Sequence, residues 1–159
     1  MNLSLKSLLT QKLKGAERVV VLGVGSELRG DDVAGPLVLE ELQKKKHPKL
    51  QLIDGGTAPE NFTGEIKKKQ PTHLVIVDAA DLGSTPGTIR LIELGEIRGM
   101  SFSTHALPLK VMIDFILQDH QCEVVVAAIQ PKSLKFGAQP CAEVKDAAAI
   151  LAHALLSAL

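Results

Sequence analysis

Apolar and polar positions alternate along this chain in blocks that predict strands and helices in turn. Val19–Val24, Leu50–Asp54, His73–Asp78 and Cys122–Ile129 are short runs dominated by Val, Ile, Leu and Ala, each closing on glycine or a polar residue. Such runs read as strands buried on both faces of a parallel sheet. Thr88–Leu94 alternates imperfectly and reads as a fourth strand in chain order, at an edge. Helical spacing fills the intervals. Leu5, Leu8, Leu9 and Leu13 share one stripe of a helix over 4–14 that Gly15 ends. A second helix follows Asp32 and runs out in Lys44-Lys45-Lys46 before Pro48, cationic as a helix C-terminus favours. Thr57 with Glu60 reads as a capping box for a third, which ends at Lys67-Lys68-Lys69 before Pro71. Two more are expected over 108–118 and Ala142–Ser157. Strands alternating with helices predict a three-layer α/β/α fold, a mostly parallel, twisted five-stranded sheet with helices on both faces.

Composition narrows the picture. At 159 residues the chain reads as a single domain, 1–159, with a helical extension over 1–16. Its 18 basic and 18 acidic side chains cancel, so no overall field points to nucleic acid or anionic lipid. It has no Trp, no Tyr and four Phe, which argues against a base-stacking platform. Cys122 and Cys141 lack metal-ligand spacing and read as reduced, inert thiols. Nothing approaches a membrane span, and the lysines in the first sixteen residues break any signal-peptide pattern. A soluble cytoplasmic protein is expected.

The candidate chemistry sits at strand ends. Gly23-Val24-Gly25 after the first strand invites a dinucleotide reading. The fingerprint then needs a small residue where Leu28 stands, and Asp31 and Asp32 occupy the helix start where a pyrophosphate would sit. Asp32, Asp54 and Asp78 close strands one, two and three, and His105 follows strand four. In a doubly wound sheet these positions converge on one crevice. Two of these carboxylates with the His105 imidazole would make a three-ligand metal site with open positions. Lacking a thiolate, it would bind modestly and discriminate poorly among nickel, zinc and manganese. Each residue alone also has a structural reading: Asp31 or Asp32 as an N-cap, Asp54 as a turn residue, Asp78 as an acceptor for loop amides. His47, His73, His120 and His153 read as surface or core histidines. With no HExxH, no GxSxG and no Cys–His pair, a water activated near a metal is the economical route to hydrolysis.

Residues 23–35, GVGSELRGDDVAG, resemble the opening motif of the nickel–iron hydrogenase maturation endopeptidases. Ile53–Asn61, Val77–Gly83, Pro86–Arg90, Ser103–Leu109 and Ile129–Pro131 continue the likeness in order, nearest to the branch serving formate-hydrogenlyase-type hydrogenase. Ser26 replaces the family's usual Asn and Val33 its usual Gly, leaving the acidic pair intact. The resemblance implies a protease that removes the C-terminal peptide of a hydrogenase large-subunit precursor after nickel insertion. It implies Asp32, Asp78 and His105 as metal-binding and catalytic, and Asp54 in substrate recognition, with Asp31 a further accessory carboxylate. Nickel would belong to the precursor, the partner would be that precursor, and the enzyme would act as a monomer. A non-catalytic nickel or precursor chaperone and a nucleotide or phosphosugar enzyme are the alternatives.

Overall fold

A computed structural model describes residues 3–102 and 108–159. The elements are α1 (Leu5–Lys12), β1 (Val19–Val24), α2 (Ala34–Gln43), β2 (Leu50–Gly56), α3 (Thr63–Lys68), β3 (His73–Asp81), β4 (Ile89–Ile92), β5 (Ser101–Phe102), α4 (Leu109–Leu117), β6 (Glu123–Ile129) and α5 (Ala142–Ser157). Short 3-10 turns at Gly30–Val33, Pro59–Phe62 and Leu94–Gly99 join some of them.

Strand order is β2-β1-β3-β6-β4, with β5 paired to the upper end of β3. β2, β1, β3 and β6 run parallel. The chain steps from β1 outward to β2 through α2, then back across β1 to β3 through α3. Reversing the direction of travel puts the two crossover helices on opposite faces when both connections are right-handed. α2 accordingly packs with α1 and α5 over Val19, Val21, Val75, Val77, Val125 and Ala127. On the other face Ile66 of α3 joins α4 over Val20, Leu22, Leu74, Ile76 and Val126. Successive side chains alternate between faces, and both faces are covered, which is why the strand sequences are apolar throughout.

The sequence expectation of a three-layer, mostly parallel sheet holds, with two changes. β4 is an edge strand but antiparallel to β6, because Gly83 (φ +61°) and Gly87 (φ +85°) turn the chain back after β3. Ser101–Phe102 adds a sixth strand, antiparallel to β3 and too short to announce itself in sequence. The Thr57 cap is also corrected. β2 continues to Gly56, the chain turns there at φ +54°, and the following 3-10 turn starts at Ala58 without a side-chain cap. A capping box forms instead between Glu93 and Glu96. α1 is no loose appendage, since Leu9 and Leu13 are buried in the α2–α5 layer. No helix among the described residues is long and apolar enough to cross a membrane.

Candidate active site

β1 neighbours both β2 and β3, so the chain leaves its carboxyl end in one direction and returns on the other side. The crevice between β1 and β3 is therefore the switch point at which open α/β sheets bind ligands. Two features of the first motif shape it. The Gly25 amide donates to the Gly56 carbonyl at 2.9 Å and the Ser26 amide to the Asp32 carbonyl at 3.2 Å, folding the loop back on itself. At Gly25 (φ +150°) a Cβ would collide with that same Asp32 carbonyl, so only glycine permits the fold-back.

Asp32 rides the 3-10 turn at the end of this loop and is fully buried. That turn packs against β3. Asp78 lies in β3 level with Ala128 of β6, one residue past Val77, which stands beside Gly23 of β1; it too is fully buried. The structure thus places both predicted carboxylates at the carboxyl ends of adjacent strands, away from bulk water. Nη1 of Arg29 lies 3.8 Å from Asp32 Oδ2, with 40% of the Arg29 side chain exposed. Buried carboxylates persist where positive charge or donors compensate them.

The other predicted site residues fare differently. Asp54 stands level with Gly23 on the far side of β1, about 10 Å from β3 at two strand spacings. Its side chain is exposed, and Oδ1 accepts the Gly56 amide at 3.0 Å. It lies on the same rim as the buried pair but outside their pocket. Asp31 is 1% exposed. Its carboxylate accepts the amides of Lys132 (2.7 Å), Ser133 (3.1 Å) and Cys141 (2.7 Å), and the Cys141 thiol at 3.3 Å. Burial alone would raise the Asp31 pKa, but the Cys141, Lys132 and Ser133 amides outweigh it and hold the carboxyl below its ordinary range. The Asp31 oxygens are thus taken up by the amides and the thiol of the segment that leads into α5. His105, the third predicted ligand, lies outside the described residues.

Among the described residues, no three His, Cys, Asp or Glu side chains form a metal-holding set. Cys122 and Cys141 are free thiols, and burial pushes both above the usual thiol range, so they stay protonated and unreactive. Gln130 falls within the Ile129–Pro131 block of the sequence, which gave it no role. Gln130 is 8% exposed; its Oε1 accepts the amides of Leu82 (2.6 Å) and Ser84 (3.4 Å), and its Nε2 donates to the Pro131 carbonyl (3.0 Å). A lone amide between an apolar strand and a proline was the available signal.

The profile of the HycI family, described as hydrogenase maturation protease, matches residues 36–158. The hydrogenase 3 maturation protease of Escherichia coli K12 is 41% identical over 129 residues, covering 80% of this chain and 82% of its own. The crystal structure of the NiFe hydrogenase maturation protease HycI from Thermococcus kodakarensis superposes with a TM-score of 0.85 at 31% identity, covering 94% of this chain and 96% of that one. The solution structure of the endopeptidase HycI from Escherichia coli gives 0.77 at 38% identity, covering 86% and 87%. The chain belongs to the HycI family of hydrogenase maturation proteases, and it is an endopeptidase.

Proposed function

We propose that this enzyme removes the C-terminal peptide of a nickel–iron hydrogenase large-subunit precursor once nickel has been inserted, and that it recognises the inserted nickel through Asp32, Asp78 and His105. The observation that carries this reading is the pair of fully buried carboxylates, Asp32 and Asp78, at the β1–β3 switch point. Two protein carboxylates and one imidazole are too few to hold nickel firmly but enough to complete the shell of an ion already seated in the precursor. Nickel is then part of the substrate, and cleavage reports that loading is complete. Asp32 and Asp78 orient the nickel-bearing segment, so that the scissile bond is presented to the attacking water in one geometry. Asp54, exposed on the same rim, contacts the precursor chain leading away from that crevice. The enzyme works as a monomer in the cytoplasm, where the precursor is assembled.

The test mixes the protein with nickel-loaded and nickel-free precursor and follows the large subunit by intact mass. Shortening of the loaded form alone is expected, with Asp32→Ala and His105→Ala folded but inactive. Equal cleavage of both precursors, or normal cleavage by either variant, would remove nickel recognition from this site. Binding without any shortening is the outcome that a non-catalytic assembly chaperone would give.

A further inference from the structure

Two buried polar side chains at the carboxyl rim, Asp31 and Gln130, tie the loop after β6 to other parts of that rim: the first ends on this loop and the second begins it. Asp31, beside Asp32, spans that loop from end to end: Oδ2 holds Lys132 and Ser133 at its start, and Oδ1 holds Cys141 at the entry to α5. The backbone reinforces the tie, with the Asp31 amide donating to the Ser133 carbonyl at 2.9 Å and the Gly137 amide to the Leu28 carbonyl at 2.8 Å. The join is close, since a Cβ at Gly30 would stand 2.5 Å from the Ser133 carbonyl oxygen. At the other side of the crevice, Gln130 reaches the loop that leaves β3. Its side chain takes the Leu82 and Ser84 amides, and its backbone exchanges bonds of 2.9 Å with Gly87 and Thr88.

We infer that the segment 130–141 is a brace, and that Asp31 and Gln130 are positioning residues which together set the spacing of Asp32 and Asp78. Asp31 anchors the turn that carries Asp32. Gln130 anchors the exit of the strand that carries Asp78. Both grip one covalently continuous segment, so a shift of either carboxylate must strain the other's anchor. Neither residue contacts substrate in this scheme, because the Asp31 oxygens are taken by Lys132, Ser133 and Cys141 and the Gln130 amide by Leu82, Ser84 and Pro131. Placement of reacting groups is sensitive enough that a displacement of about 1 Å can cost about a hundredfold in rate. The inference rests on the reading of Asp32 and Asp78 as the reactive pair.

The experiment compares Asp31→Ala, Asp31→Asn, Gln130→Leu and Gln130→Glu in single-turnover cleavage of nickel-loaded precursor, well below each variant's melting midpoint. Asp31→Ala and Gln130→Leu should lower the rate constant at saturation by about tenfold or more, with the half-saturating precursor concentration unchanged. Gln130→Glu keeps the acceptor for Leu82 and Ser84 but loses the donor to the Pro131 carbonyl, and should recover part of the rate. Asp31→Asn, which keeps an acceptor for Cys141 but turns its own N–H groups toward Lys132 and Ser133, should fall between. Should Asp31→Ala fail to fold, the Gln130 pair and Asp31→Asn decide. Folded variants that cleave at the wild-type rate, or that lose only apparent affinity, overturn the brace. Asp32→Ala serves as control: wild-type cleavage by it would sink the assignment of the reactive pair, whereas an inactive control beside fully active brace variants sinks the brace alone.

Discussion

Nη1 of Arg29 and Oδ2 of Asp32 lie 3.8 Å apart, the first half in solvent and the second wholly buried. Arg29 is thus a protein cation at the mouth of the carboxylate proposed to meet nickel, and the two positive charges compete for it. Arg29→Gln keeps the polar stem and removes the charge. The half-saturating concentration of nickel-loaded precursor should fall about three- to tenfold, the size expected for one charge in a partly screened setting. A rise instead would mean that Arg29 contacts the precursor itself.

Gly35 opens α2 where the helix crosses the sheet most closely. A Cβ there would sit 2.5 Å from the Val24 amide nitrogen and 2.7 Å from the Val77 carbonyl oxygen, backbone atoms of β1 and β3 that have nowhere to go. Gly35→Ala should push α2 off the sheet and destabilise the protein by about 3 kcal/mol or more, read as a drop in urea midpoint. A neutral result would show that α2 can slide without loss.

His73 begins β3 and is 5% exposed. Burial pushes its imidazole below the ordinary 6.5, more than Glu123 and the Lys14 backbone raise it. The unfolded chain therefore takes up a proton near pH 6.5 that the folded chain refuses. This contribution to stability is complete above that value and is lost as pH falls from it toward the folded pKa. The melting midpoint should decline between about pH 7.5 and pH 5.5. His73→Asn should decline less over that interval; an identical decline would place the pH dependence elsewhere.

Leu151 is fully buried in the layer formed by α1, α2 and α5. Leu151→Ala should cost about 2–5 kcal/mol through lost burial and the cavity left behind. The same variant, assayed cold enough to be folded, should cleave precursor normally, because Leu151 lies about three helical turns along α5 from the Asp31 contact at Cys141. Loss of cleavage in the folded variant would tie this core to the site.

The elements were largely legible. Val19–Val24, His73–Asp78 and Cys122–Ile129 are apolar at nearly every position, and only a sheet covered on both faces hides such runs. Gly15 and Pro48 marked helix ends by backbone geometry alone. The Thr57 cap failed because its pattern is local, while the turn at Gly56 is set by β2 pairing with β1. β4 could be read as an edge, but its direction depends on which neighbour it meets.

What the amino-acid sequence determined by itself is the alternation of elements and the presence of acidic groups at the ends of three strands, since burial period and chain-terminating residues are written one after another. Which carboxylate does what was decided in three dimensions. Asp31 and Asp32 are chemically identical neighbours, yet one is consumed by Lys132, Ser133 and Cys141 while the other stands at the crevice beside Arg29. Asp54 and Asp78 look alike as acidic residues closing apolar runs, yet Asp54 stands exposed on the edge strand β2 and Asp78 is buried in the central strand β3. Burial and hydrogen-bond partners come from residues about a hundred positions away, and no local pattern carries that information.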